Sequence, residues 1–156
     1  MNLNAMYSEL IFEHDKRPQN FGLREPFQSE VHHVNPTCGD EITLRLQLDG
    51  DADNPTITDL SYDATGCAMS RASASIMSDL LIGESLQDAQ KTFDHFDEVM
   101  HSRGKNEGDE DIIGDGIALV GAAKFPGRVK CVLMPWKAYQ AALAEAQAAR
   151  GSQACP

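Results

Sequence analysis

Apolar residues recur along this chain with two different periods, and the change between them divides it into elements. Leu3, Met6, Tyr7, Leu10, Ile11 and His14 fall at helical spacing, with Pro18 soon after, which predicts an amphipathic helix at the start. Ile42, Leu44, Leu46 and Leu48 alternate with Thr43, Arg45 and Gln47, the period of a strand that buries one face. The run Asp49-Gly50-Asp51-Ala52-Asp53-Asn54-Pro55 is dense in turn formers, and Leu60, Tyr62 and Ala64 alternate beyond it. The two runs therefore predict a hairpin. A weaker alternation from Phe27 to Val34 places another strand ahead of them.

From Ala68 the period lengthens. Met69, Ala72, Ile76, Leu80 and Leu81 predict a helix that closes near Gly83, with Ala72, Ser73, Ala74 and Ser75 small along it. A second helix is expected from Leu86 to Met100, then an exposed polar loop from Ser102 to Asp111 and a short helix from Ile112 to Ala123. Pro135 suits a first helical turn, and the Ala-rich Trp136 to Ala149 follows, with Gly151 just past its end. A helix, a few antiparallel strands, then only helices is the order of an α+β domain with helices packed on one face of a small sheet. No repeat and no Gly-, Ser- or Pro-rich linker divides the chain, so residues 1–150 are expected to form one domain and 151–156 a disordered tail.

Composition narrows the setting. The 156 residues carry 24 acidic against 13 basic side chains, a net charge of −11, which argues against nucleic acid or an anionic membrane as a partner. The longest apolar stretches are too short to span a bilayer. Met1 to Asp15 contains Glu9, Glu13 and Asp15 and lacks the basic start and apolar run of a signal peptide, so a cytoplasmic location is expected. In a reducing cytosol the four cysteines read as metal ligands or reactive thiols rather than disulfides.

Three of those cysteines have informative neighbours. Cys38 and Asp40 are two apart, which in an extended segment points both to the same side, and Asn35-Pro36-Thr37 places them on a loop. A surface turn with a chance cysteine has the same appearance. Cys67 follows Gly66 just before a helix begins, where backbone amides favour a thiolate, although a half-buried structural cysteine fits there too. Cys131 follows Lys124, Arg128 and Lys130, a basic cluster in an acidic chain. Three thiols and a carboxylate make the four ligands that zinc prefers. No C-x-x-C pair occurs, so such a site would have to be assembled by the fold. Ligand identity does not separate zinc from iron.

Other candidates carry less. Asp49, Asp51 and Asp53 open like a calcium loop, but Asn54 and Leu60 stand where an EF-hand needs glycine and glutamate. Gly114, Gly116 and Gly121 precede Lys124 without the G-K-[ST] of a phosphate loop. His32 and His33 are adjacent on a strand and face opposite sides. His95 and His101 lie near the acidic loop and read as solvated, and Cys155 stands in the tail.

Taken together, Asn35-Pro36-Thr37-Cys38-Gly39-Asp40, Gly66-Cys67-Ala68-Met69-Ser70-Arg71-Ala72-Ser73-Ala74-Ser75 and Lys124-Phe125-Pro126-Gly127-Arg128-Val129-Lys130-Cys131 resemble the three signature blocks of the IscU/NifU-like superfamily, in the right order. The resemblance runs from the first helix to Tyr139 and is nearest to the SufU branch. Lys130 stands where IscU-type scaffolds place a histidine, and the segment from about His101 to Ala123 looks like the SufU insertion. Gly127 departs from the bulkier residue expected there.

The resemblance implies a SufE/IscU-like fold, with three antiparallel strands flanked by helices and a metal site at one end. Cys38, Asp40, Cys67 and Cys131 match the family's zinc ligands, and Arg128 matches a basic residue near the site. Cys38 also matches the position that accepts persulfide sulfur from a SufS-type cysteine desulfurase, with downstream iron–sulfur assembly components as further partners. Two other readings stay open: a scaffold on which a [2Fe–2S] cluster is assembled, and an interaction module whose zinc is purely structural.

Overall fold

The computed structural model describes the backbone of residues 3–36 and 39–154 and the side chains of residues 7–36 and 39–149. Cys38 and Cys155 lie outside the described residues. The elements in chain order are α1 (Leu3–Lys16), β1 (Ser29–Asn35), β2 (Asp40–Asp49), β3 (Thr56–Thr65), α2 (Ala68–Leu81), α3 (Leu86–Met100), α4 (Glu110–Ile113), a 3₁₀ segment (Gly114–Lys124) and α5 (Pro126–Ala154). The sheet runs β1-β2-β3 and both pairs are antiparallel, so the α+β reading holds.

Strand parity decides which residues face the helices. In β2 the even positions Asp40, Ile42, Leu44, Leu46 and Leu48 are buried, while Thr43, Arg45 and Gln47 are only half-buried. In β1 the odd positions Ser29, Val31 and Asn35 are buried, and Asn35 pairs with Asp40 in register. The apolar members of this face form the core with Ile76, Met77, Phe96, Trp136 and Tyr139. Two polar residues, Asn35 and Asp40, sit on the same face at its end. The turn between β2 and β3 closes with the Asp53 amide donating to Asp51 Oδ1 at 2.9 Å.

The small residues of α2 have a packing role. Buried Ala72, Ser73, Ala74 and Ser75 let α5 and α1 approach closely, and the serines satisfy the groups that arrive. Ser73 Oγ donates to the Val132 carbonyl at 2.6 Å and accepts from Trp136 Nε1 at 3.1 Å, fixing α5 against α2. Trp136 in turn stacks on Phe96, with ring centroids 4.3 Å apart. Buried Tyr139 lies beside Phe93, and burial pushes its phenol well above the usual range, so it stays neutral.

Two expectations are corrected. The last helix begins at Pro126 rather than Pro135 and runs to Ala154, past the expected end near Ala149. Pro126 occupies the first helical position, where a missing N–H costs nothing, and Pro135 is accommodated inside. Cys131 therefore lies on a helix. The segment expected as a helix from Ile112 to Ala123 is instead one α-turn and a 3₁₀ run, because Gly114 at φ +48° and ψ −128° leaves helical space.

That 3₁₀ run is tied down by one buried histidine. His14 Nδ1 lies 2.7 Å from Ser75 Oγ, and His14 Nε2 lies 2.8 Å from Asp115 Oδ2. Gln19 N–H already donates to Ser75 Oγ at 2.8 Å, so the serine hydroxyl is free to donate to Nδ1 while Nε2–H donates to the carboxylate. Helices α1 and α2 and the segment after α4 thus meet at His14. We expect His14→Ala to lower the free energy of unfolding by about 1–3 kcal/mol, because it removes a buried side chain and leaves the buried Ser75 hydroxyl without its acceptor. Urea unfolding at neutral pH measures this, and an unchanged midpoint would show that the array contributes nothing.

Candidate metal centre

Three elements bring chemistry to the same end of the sheet. β2 starts with Asp40, α2 starts directly after Cys67, and the second turn of α5 carries Cys131. Asp40 is fully buried because its parity is that of the core face. Its Oδ1 accepts the Cys67 N–H at 2.8 Å, which orients the carboxylate and leaves Oδ2 facing Cys67 Sγ at 3.8 Å. Cys67 Sγ also lies 3.8 Å from Ser70 Oγ, and Ser70 Oγ donates to the Cys67 carbonyl at 3.1 Å. Cys131 is buried, with Sγ 3.6 Å from the Gly127 carbonyl and 3.9 Å from Asn35 Nδ2.

One ligand atom from each of Asp40, Cys67 and Cys131 lies within 4.8 Å of the others. A tetrahedral zinc with sulfur at about 2.3 Å and oxygen at about 2.0–2.2 Å holds its donor atoms roughly 3.5–3.8 Å apart. The cluster reaches that geometry by a small contraction. Its chemistry fits as well, since two thiols and a carboxylate suit zinc. With Oδ1 committed to the amide, Asp40 would bind through one oxygen. Among the described residues this is the only such cluster.

Gly66 explains how the carboxylate fits. Its φ is +137°, and a Cβ there would meet the Asp40 carboxylate and come within 3.0 Å of the Asp40 Cα. Only a residue without a side chain lets β3 turn into α2 this close to Asp40.

Cys38 lies outside the described residues, but its neighbour Gly39 adopts φ +72° and donates its N–H to the Asn35 carbonyl at 2.8 Å. Arg128 is exposed and stacks over the Phe125 ring, 4.8 Å from its centroid, with no ion pair to Asp40 among the described residues. Lys124 packs along Gly104. His32 bonds Thr43, His95 accepts the Asp109 N–H, and His101 bonds Asp97. Asn35, Gly66 and Ser70 belong to the signature blocks, yet their contacts with the ligands needed the fold to be seen.

Comparison with known proteins bears on this arrangement. Residues 6–132 match the sequence model of the NifU-like N-terminal domain. The chain is similar to the zinc-dependent sulfurtransferase SufU of Bacillus subtilis, at 37% identity over 92% of this chain and 93% of the relative. It is also similar to the iron–sulfur cluster assembly scaffold protein IscU of Streptococcus pyogenes, at 36% identity over 90% and 84% of the two chains. Among solved structures, the Fervidobacterium islandicum AW-1 protein FiSufU is named as a candidate iron–sulfur cluster assembly scaffold for the SUF system. It superposes with a TM-score of 0.77 at 33% identity, over 91% of this chain and 99% of that one. No helix among the described residues is long and apolar enough to cross a membrane.

The cradle at Gly66 gives a direct test. Gly66→Ala should retain helical content but lose about tenfold or more in zinc affinity, because Asp40 is pushed from its place. Competition with a chromophoric chelator measures it, and wild-type affinity in the variant would contradict the assignment of Asp40 as a ligand.

Proposed function

Because the chain belongs to the NifU-like N-terminal domain family, we propose that it is a zinc-dependent sulfur-transfer protein of iron–sulfur cluster assembly, receiving persulfide sulfur on Cys38 from a SufS-type cysteine desulfurase. The observation that carries this reading is the convergence of Asp40, Cys67 and Cys131 on one point. Cys38, two residues before Asp40, completes the proposed ligand set. The name of the Bacillus subtilis relative supports both the metal and the reaction. The setting proposed is the cytosol.

Bound zinc would keep its thiol ligands deprotonated and bring no redox chemistry. The transfer itself needs only thiolate exchange. The Cys38 thiolate attacks the outer sulfur of the donor's persulfide; a new S–S bond forms at Cys38 and the donor's own S–S bond breaks. The donor cysteine leaves as a thiolate and Cys38 carries the persulfide, so no net oxidation occurs. Asp40, held by the Cys67 amide, offers the hardest donor of the set and the one most readily exchanged. Arg128, exposed and anchored on Phe125 one helical turn from Cys131, supplies a positive charge at the rim for an incoming sulfur anion.

A second reading rests on the scaffold names of the other relatives: the same donors hold a [2Fe–2S] cluster during assembly. Lys130, rather than a histidine, precedes Cys131 and weighs against it. The purely structural zinc module remains the third reading, and unstimulated desulfurase with unreactive thiols is its signature.

Alanine release by a SufS-type desulfurase separates these readings. Zinc-loaded wild type should stimulate the rate severalfold, and Cys38→Ala should remain folded and zinc-bound yet give no stimulation. Normal transfer by Cys38→Ala would overturn the acceptor assignment. No stimulation by the wild type, with a cluster that reconstitutes and passes to an apo-ferredoxin, would favour the scaffold.

A further inference from the structure

One buried residue touches two arms of the proposed centre without being a ligand. Asn35 ends β1, is 8% exposed, and pairs with Asp40 across the hairpin, so the residues that close the β1–β2 loop are an amide and a carboxylate on the same face. The loop they close, residues 36–39, contains Cys38. Asn35 acts in two directions. Its carbonyl accepts the Gly39 N–H at 2.8 Å, pinning the far end of that loop, and its side-chain Nδ2 points at Cys131 Sγ from 3.9 Å.

We propose that Asn35 is a positioning residue of the metal centre: its amide holds the Cys131 sulfur while its backbone closes the loop that carries Cys38, so that it sets the metal affinity of the site. This rests on the metal-site reading given above. An N–H directed at a thiolate sulfur withdraws some of its negative charge and fixes its rotamer, as partners behind metal ligands generally do. Asn35 is suited to this because a neutral amide donates without adding charge to a site already holding several anions. An aspartate of the same shape would place a carboxylate against the sulfur and repel it. Ser70, on the Cys67 side, cannot substitute, since its hydroxyl is engaged with the Cys67 carbonyl.

The test uses the full chain and cobalt(II) as the spectroscopic probe, with zinc affinity measured by chelator competition. Asn35→Asp keeps the side-chain shape and the backbone carbonyl, and Asn35→Ala removes the donor without adding charge. We expect Asn35→Asp to weaken zinc binding by about 10–100-fold, with Asn35→Ala intermediate. In both variants the sulfur-to-cobalt charge-transfer band should shift while the far-ultraviolet circular dichroism stays as in wild type. A merely structural residue would change stability without moving that band. Wild-type affinity and an unshifted band in both variants would overturn the role of Asn35 alone. Failure of the wild type itself to bind zinc or cobalt would overturn the metal-site reading.

Discussion

The fold and the site share one constraint: a fully buried carboxylate at the end of the sheet. Asp40 occupies a core-facing position by strand parity, and a charge there must be met by directed partners. The Cys67 amide meets one oxygen, so the start of α2 is held against the start of β2. That bond in turn requires Gly66, the only residue type that fits against Asp40 at φ +137°. The second sulfur arrives because Ser73 and Trp136 lock α5 onto α2, which sets Cys131 in the turn facing Asp40. Each of these contacts serves packing and also places a donor atom.

Much of this was legible beforehand for a physical reason. Alternation in β2 and helical spacing in α2 and α3 are dictated by burial, and burial writes itself into residue type along the chain. Asn35-Pro36-Thr37 points to a loop for Asp40, whereas the structure makes it the first, inward-facing residue of β2. The cysteines and the aspartate stood out through their signature blocks, and the structure brings together the three that it describes. What stayed hidden depended on tertiary partners. Pro135 looked like a helix start because propensity alone does not show that α2 and the sheet support a longer helix through it. Gly114 looked tolerable in a helix until its backbone angles were known. Asn35 and Ser70 are polar residues in polar surroundings along the chain, and only the packed hairpin and helix reveal that they face sulfur.

The segment between α3 and α5 differs in character from the rest. It is a loop, one α-turn and a 3₁₀ run, and it is joined to the body partly through Asp115 and His14. Lys124 and Phe125 end it beside Arg128, so the exposed aromatic and basic groups near the site belong to this segment and the first turn of α5.

In the proposed function Cys38, Asp40, Cys67 and Cys131 would together hold one zinc ion. X-ray absorption at the zinc edge on the full chain, loaded with one equivalent, tests it most directly. The expected result is a four-coordinate zinc with three sulfurs at about 2.3 Å and one oxygen at about 2.0–2.2 Å. A first shell with two sulfurs or fewer, or one made wholly of oxygen and nitrogen, would contradict it.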